Sequence, residues 1–134
     1  MEPTRDTFGA PSREGCPCGS GQPYATCCGP LLDGSRAAIT VVQLMRSRYS
    51  AYVVGDTAYL TRTWHPRTRP DRLDLEATPR WRGLTVIATA DGLEGDAEGE
   101  VEFRADYAGG SLHERSRFVR RAGRWVYVDG VQLP

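Results

Sequence analysis

The chain has 134 residues, 17 of them basic and 17 acidic, so its formal net charge is zero. This length fits one modest domain with an appendage and excludes two full domains. Without a net charge there is no overall attraction to nucleic acid or to an acidic membrane surface, so a partner has to recognise a local patch. No apolar run can span a bilayer and residues 1–15 lack the apolar centre of a signal peptide, which predicts a cytoplasmic protein with no membrane contact.

The first chemical signal is a cysteine cluster near the N-terminus. Residues 1–15 mix Pro, Arg, Thr, Ser and Gly without apolar periodicity, which predicts a disordered segment. All four cysteines of the chain follow within thirteen positions, as Cys16, Cys18, Cys27 and Cys28. Glycines between them can take a positive φ, so the segment can wrap a small ion. Four thiolates at this spacing predict a tetrahedral Zn²⁺ site.

The alternative to a metal is a pair of disulfides. A bridge between the neighbours Cys27 and Cys28 would be strained, and the chain lacks a secretory signal, so the metal is favoured. A catalytic thiol is disfavoured because four protein ligands leave no open coordination position for a substrate. The predicted zinc is therefore structural, and its binding energy folds a segment with almost no apolar core.

Helical periodicity begins after a predicted linker at residues 31–38. Thr40 followed by Gln43 is a capping-box pattern, which predicts the start of a helix. The apolar positions of this helix fall on one face: Val41, Leu44, Met45, Tyr49, Tyr52 and Val53. Gly55 is placed to end it.

A second, shorter helix is predicted directly afterwards. Asp56 is placed to cap it, and Pro66 stops it beyond Leu60. The segment 67–80 is rich in Pro and Arg and predicts at most one further helical turn.

From Trp81 onward the period changes to two, which predicts strands. Residues 97–107 alternate apolar and polar without exception, so this strand has one wet face. Glycine-containing turns separate it from strands at 112–120 and 124–130. Two helices followed by an antiparallel meander predict an α+β domain with its helices on one face of the sheet.

Charge pairing predicts the strand register. A turn centred on residues 108–109 places Glu102 opposite Arg115 and Glu100 opposite Arg117 on the outer face. This register turns Glu114 and Ser116 inward, and a turn at residues 122–123 then places Tyr127 opposite Phe118 and Asp129 opposite Ser116. Valines on the outer face of the last two strands can be covered by a second copy of the chain or by the knuckle. A monomer and a homodimer through that face therefore both remain open.

The inner face therefore carries polar groups at one end, beside arginines of the first helix. The candidate residues for a pocket are Arg46, Arg48, Trp64, His65, Glu114, Ser116, Tyr127 and Asp129. Two arrangements of these residues are possible. In one, Arg48 neutralises Glu114 in a buried ion-pair network. In the other, an open pocket binds a small molecule, or acts as an acid–base enzyme in which Asp129 or Glu114 accepts a proton.

The motifs also resemble a known family. The stretch CPCGSGQPYATCCGP resembles the SEC-C zinc motif, and LMRSRYSAY, YLTRTWHP, WRGLTV, ERSRF and WVYVDG, in that order, resemble the YchJ-like proteins. The resemblance implies a zinc knuckle at 16–30, a linker at 31–38 and a nuclear-transport-factor-2-like, or cystatin-like, domain at 39–134. In that fold two to three helices close over a curved antiparallel four-stranded sheet to form a cone. The function of the family is largely unassigned.

The resemblance also bears on partners. The SEC-C motif is found in the preprotein translocation ATPase SecA, where the zinc form contacts a chaperone and the ribosome. That motif is typically lysine-rich, whereas this chain has no lysine between its cysteines, which disfavours nucleic acid. The leading hypothesis is an adaptor whose knuckle presents Pro23, Tyr24 and Leu31 to a protein partner, with no catalysis. The cone pocket, as a small-molecule or acid–base enzyme site, is the alternative.

Overall fold

The structure is a computed structural model, and it describes residues 15–134. The disorder predicted for residues 1–15 falls almost entirely outside the described residues. The knuckle segment contains a single 3₁₀ turn at Tyr24–Thr26, and Gly19 and Gly21 have φ values of 81° and 87°. These positive φ values confirm the turns predicted between the cysteines.

Three α-helices follow in the order α1 at Gly29–Leu32, α2 at Val41–Val54 and α3 at Thr57–Arg62. The Thr40 hydroxyl accepts a hydrogen bond from the Gln43 amide, and Gly55 ends α2 in the left-handed conformation. Asp56 caps α3 as predicted. None of the described helices is long and apolar enough to cross a membrane.

The sheet has four strands: β1 at Trp81–Asp91, β2 at Glu98–Tyr107, β3 at Gly110–Arg121 and β4 at Arg124–Gln132. They are antiparallel and lie in sequence order. A 3₁₀ turn at Leu75–Ala77 is the only regular element described between α3 and β1. Helices packed on one curved antiparallel sheet confirm the α+β fold.

The register of β2 against β3 is the one that charge pairing predicts. Glu102 lies opposite Arg115 and Glu100 opposite Arg117, and Nη2 of Arg115 donates to Oε1 of Glu102 at 3.0 Å. These pairs are exposed to solvent, so they contribute to register more than to stability.

The prediction for Asp129 is wrong. Tyr127 lies opposite Phe118 as expected, but the ladder shifts between Arg117 and Phe118, so Asp129 lies opposite Arg117 instead of Ser116. The irregularity places one extra residue in β4 and reverses the faces of the residues beyond it. Asp129 consequently points outward, where Arg117 Nε donates to its carboxylate at 2.8 Å.

Helix α2 connects the knuckle to the cone. Cys16, Cys18 and Cys28 belong to the same buried cluster as Leu44 of α2 and Phe118 of the sheet. The predicted linker is part of this packing, because Leu31 and Leu32 lie in or at the end of α1 and are buried. On the outer face, Val126 is buried and Val119 and Val128 are half-buried within a single chain.

Candidate functional sites: a cysteine cluster and a cone cavity

The four cysteine sulfurs converge on one point. All four Sγ atoms lie within 4.8 Å of one another, with 3.6 Å from Cys18 to Cys27 and 4.0 Å from Cys27 to Cys28. A tetrahedron with Zn–S bonds of about 2.3 Å has edges of about 3.8 Å. None of the four is in a disulfide. The cluster therefore has the donor set and the spacing of a metal site with four thiolate ligands.

Hydrogen bonds within the cluster also favour a negative charge on one of its sulfurs. Hydrogen bonding from the Cys28 thiol lowers the pKa of Cys18 to about 4, although burial opposes the shift. The same hydrogen bond raises the pKa of Cys28, and burial raises that of Cys27. The Ser20 hydroxyl lies 3.1 Å from the Cys27 sulfur, so a hydroxyl donor stands beside a ligand atom. Donors placed around thiolates spread their charge.

The knuckle is fixed to one face of α2. Arg46 Nη1 donates to the Cys18 carbonyl at 2.6 Å, and the Ser50 hydroxyl lies 3.5 Å from the Cys16 sulfur. Arg46 therefore holds the knuckle and does not line the cone cavity, contrary to the expectation for that residue.

The predicted partner surface is smaller than expected. Leu31 is only 5% exposed, because α1 turns it onto the core, so it is not available to a partner. Tyr24 is half-buried beside Gly29, where a Cβ would lie 3.2 Å from its ring. Pro23 is exposed. A partner surface on the knuckle is limited to Pro23 and its exposed neighbours.

The cone encloses an open cavity of about 180 Å³ between α2 and the inner face of the sheet. Half of the residues that line it are aromatic: Tyr49, Tyr52, Trp64, Trp81, Phe103, Phe118 and Tyr127. Met45, Ala105 and Leu112 add aliphatic surface. The polar groups that line it include Arg48, Glu114 and Ser116, so the structure brings together five of the eight predicted pocket residues.

Arg48 is the buried cation of this cavity. Its side chain leaves the residue only 5% exposed, and its Nη1 donates to the Leu60 carbonyl at 3.0 Å and to the Thr63 hydroxyl at 2.7 Å. The guanidinium carbon lies 4.9 Å from the centre of the Trp64 ring and 4.8 Å from that of Tyr127. Cation–π contacts of this kind stabilise a desolvated charge. Burial lowers the pKa of Arg48.

The expected pair between Arg48 and Glu114 does not form. Glu114 Oε2 instead accepts hydrogen bonds from the Ser116 hydroxyl at 2.8 Å and, more weakly, from the Tyr127 hydroxyl at 3.5 Å. Its carboxylate passes over Gly130, where any Cβ would collide with it. Among the described ion pairs none involves Arg48. The cavity is therefore not filled by an internal arginine–carboxylate network.

The two remaining predicted residues lie elsewhere. His65 is on the segment beside β4, where its backbone N–H donates to the Tyr127 carbonyl and its Nδ1 accepts from the Arg67 amide. Asp129 faces outward because of the shift in β4 described above. Neither can act on a ligand in the cavity, which removes Asp129 as the candidate proton acceptor.

Two indole groups of the cavity walls have unused donors. Trp64 Nε1 and Trp81 Nε1 are buried, and neither has an acceptor among residues 15–134. Buried donors are nearly always paired in folded proteins, so each unpaired one requires an explanation. Both tryptophans line the cavity, but their Nε1 atoms have almost no accessible surface, so an acceptor reaches them only if the side chains move.

The domain matches a family model. The model described as the YchJ middle NTF2-like domain matches residues 40–130, and the SEC-C motif model matches residues 14–30. This chain belongs to the YchJ-like family. The family matches confirm the resemblance that the motifs predict, with a cysteine-rich motif ahead of a nuclear-transport-factor-2-like domain.

YchJ-like relatives are similar over nearly the whole chain. UPF0225 protein SCO1677 of Streptomyces coelicolor is 59% identical over 115 residues, covering 86% of this chain and 93% of the relative. A UPF0225 protein of Deinococcus radiodurans is 46% identical over 135 residues, covering 97% and 98%. None of these names states an activity.

Two solved structures share the fold. The solution structure of RPA3114, a SEC-C motif protein from Rhodopseudomonas palustris, is 38% identical with a TM-score of 0.74, covering 89% of this chain and 98% of that one. The crystal structure of a SEC-C motif protein from Psychrobacter arcticus is 31% identical with a TM-score of 0.68, covering 85% and 80%.

The sequence assigned several cavity residues to other roles. Tyr49 and Tyr52 fall on the apolar stripe of α2, which predicts core packing. Trp81, a large apolar residue where the strand pattern begins, is likewise predicted to pack in the core. Thr78 lies in the segment 67–80, which carries no periodic signal. What the sequence shows is the inward alternation of β2, which places Phe103 and Ala105 on the inner face. Periodicity does not show whether other elements cover that face or leave a cavity against it.

Proposed function

We propose that this protein binds a small organic molecule in the cone, and that a structural zinc ion holds the knuckle against α2. The observation that supports ligand binding is the open cavity of about 180 Å³, half of whose lining residues are aromatic and whose polar lining includes Arg48, Glu114 and Ser116. Small-molecule sites are concave, largely apolar and equipped with a few polar groups, and this cavity has each of these properties.

Binding is favoured over catalysis. An acid–base site needs a carboxylate that is available to accept a proton. Asp129 is outside the cavity, and the Oε2 atom of Glu114 already accepts from Ser116 and Tyr127. Burial raises the pKa of the Tyr127 hydroxyl, which keeps it protonated at neutral pH. The described groups can recognise a molecule, and Glu114, the carboxylate that lines the cavity, is already engaged by two hydroxyl donors.

A cavity-filling variant tests ligand binding. Ala105 is 3% exposed and lines the cavity, so Ala105→Leu should occupy part of its volume. The probes are phenylacetate, phenylacetamide and phenethylamine, which share a benzyl group. We expect at least one of them to shift the backbone amide signals of β2 and β3 in the original protein, and the variant to reduce its affinity by about tenfold or more.

Ala88→Leu is the matched control, because Ala88 is exposed on β1. Its affinity for the probes should equal that of the original protein. If no probe shifts cavity signals at millimolar concentration in folded, metal-loaded protein, the proposed ligand-binding function is wrong.

Zinc is the proposed ion because four cysteine thiolates in tetrahedral spacing suit it. The role is structural, since the cysteines fill every position of a four-coordinate ion and leave none for a substrate. We expect protein purified without added metal to contain close to one zinc per chain by elemental analysis. Cobalt-substituted protein should show the absorption of a tetrahedral thiolate site. Protein that is folded without metal, with paired cysteines, would contradict the assignment.

A further inference from the structure

The polar groups of the cavity contain more donors than acceptors. Arg48 donates through Nη1 to the Leu60 carbonyl and the Thr63 hydroxyl, and its guanidinium also interacts with the Tyr52 hydroxyl. A guanidinium has five N–H groups, more than these three partners use. A molecule bound beside Arg48 therefore has to bring acceptors.

The cavity also contains an uncompensated positive charge. Arg48 is almost fully buried and forms no ion pair within the described residues. Aromatic rings on two sides stabilise it only in part, because a buried cation without a counterion keeps most of its desolvation cost. Glu114 does not cancel this charge, since it is half-buried, contacts hydroxyls and keeps access to water. The missing component is therefore an anion close to Arg48.

The remaining volume limits the size of that anion. A cavity of about 150 Å³ lined by apolar side chains holds benzene. The present cavity of about 180 Å³ is slightly larger and is walled by aromatic rings. It thus suits one six-membered ring with a short acidic arm. A doubly charged phosphate is a poorer match, because one buried guanidinium would have to compensate two charges.

We propose that the cone binds a small aromatic monocarboxylate, with its ring between the aromatic walls and its carboxylate on the Arg48 guanidinium. This inference rests on the proposed ligand-binding function and specifies the chemical class of the ligand. A carboxylate is planar and bears two acceptor oxygens, which match the unused nitrogens of a guanidinium. It also brings a negative charge to Arg48, with which Glu114, the carboxylate of the cavity lining, forms no ion pair.

The first test compares the three benzyl probes on the metal-loaded chain at pH 7. Phenylacetate and phenylacetamide have nearly the same shape, so their difference isolates the charge. We expect phenylacetate to bind about tenfold or more tightly than phenylacetamide, and phenethylamine to bind most weakly. If the amide or the amine binds as tightly as the acid, the carboxylate inference is overturned while ligand binding stands. If none binds, both proposals are overturned.

The second test removes the cation. Arg48→Met should weaken phenylacetate by about tenfold and change phenylacetamide little, so the preference for the acid disappears. Arg62→Met is the matched control, because Arg62 stacks on Tyr59 outside the cavity and its Nη2 donates to the Leu32 carbonyl. Its preference should be unchanged. Preference for the acid in folded Arg48→Met protein would overturn the inference.

A third variant is needed because Arg48→Met also removes the hydrogen bonds to Leu60 and Thr63 and can impair folding. Arg48→Lys keeps a cation at this position but replaces the two-pronged guanidinium with a point charge. Folded Arg48→Lys protein should still prefer phenylacetate to phenylacetamide, by a smaller factor than the original protein. Loss of the preference in this variant would count against the inference.

Discussion

Removal of the metal is expected to unfold the cone together with the knuckle. Cys18 and Cys28 are 0% and 1% exposed, and both belong to the hydrophobic cluster that includes Leu44 and Phe118. Without an ion to bind them, the four thiols are not expected to stay close together. In zinc-finger peptides the metal contributes about 10–16 kcal/mol of folding free energy, which is as large as the whole stability of a typical domain, about 5–15 kcal/mol.

The measurement is thermal or denaturant unfolding with and without a chelator, followed by tryptophan fluorescence of Trp81 and Trp125 in the cone. We expect chelation to abolish the cooperative transition or lower its midpoint strongly, and Cys18→Ser to do the same without chelator. Cys18→Ser also removes a buried thiol. The matched control is Ser47→Ala, because Ser47 on α2 is likewise a small and fully buried side chain. Ser47→Ala should lower the free energy of unfolding by only about 1–3 kcal/mol. A cone transition that is unchanged after metal loss would contradict the structural role.

The second large effect is expected from Gly92→Ala. Gly92 has φ +78°, and a Cβ there would lie 2.2 Å from Val41 Cγ2 and 2.7 Å from Val41 Cγ1. Val41 cannot easily move, because it is 1% exposed and its amide donates to the Gly92 carbonyl at 2.9 Å. The left-handed backbone costs an alanine about 1–2 kcal/mol and overpacking costs about 1–3 kcal/mol. We expect the free energy of unfolding to fall by roughly 2–5 kcal/mol.

Gly95→Ala separates these two contributions. Gly95 has φ +97°, and a Cβ at this position would meet no atom of the described residues within 4 Å, so only the backbone strain applies. It should cost about 1–2 kcal/mol in denaturant unfolding. Equal losses for the two variants would show that Val41 yields, and that Gly92 serves only as a turn residue.

The register of the sheet was predictable because charge makes a one-residue slip costly. Carboxylates at Glu100 and Glu102 meet Arg117 and Arg115 in one register only, and the same alternation sets the inner face. Asp129 could not be placed this way. The shift in β4 interrupts the alternation, and neither a glycine nor a change of period marks it at the site of the shift.

For the candidate cavity, the sequence predicted which residues line it but not how they interact. Five residues of the predicted set line it. The periods of α2, β3 and β4 determine that four of them face inward, whereas Trp64 lies in the segment after α3. Whether Arg48 pairs with Glu114 depends on distances across the cone, and here Arg48 is taken by the Leu60 carbonyl and the Thr63 hydroxyl instead. A buried ion pair and an open pocket use the same residues, so sequence pattern cannot separate them.

Helix α2 has one face on the knuckle, through Arg46 and Ser50, and another on the cavity, through Arg48 and Tyr49. One rigid element thus borders both sites. Under the proposed function, a metal in the knuckle and a ligand in the cone would contact the same helix. Any change in affinity that one caused at the other site would be reciprocal, because coupling between two binding sites acts equally in both directions.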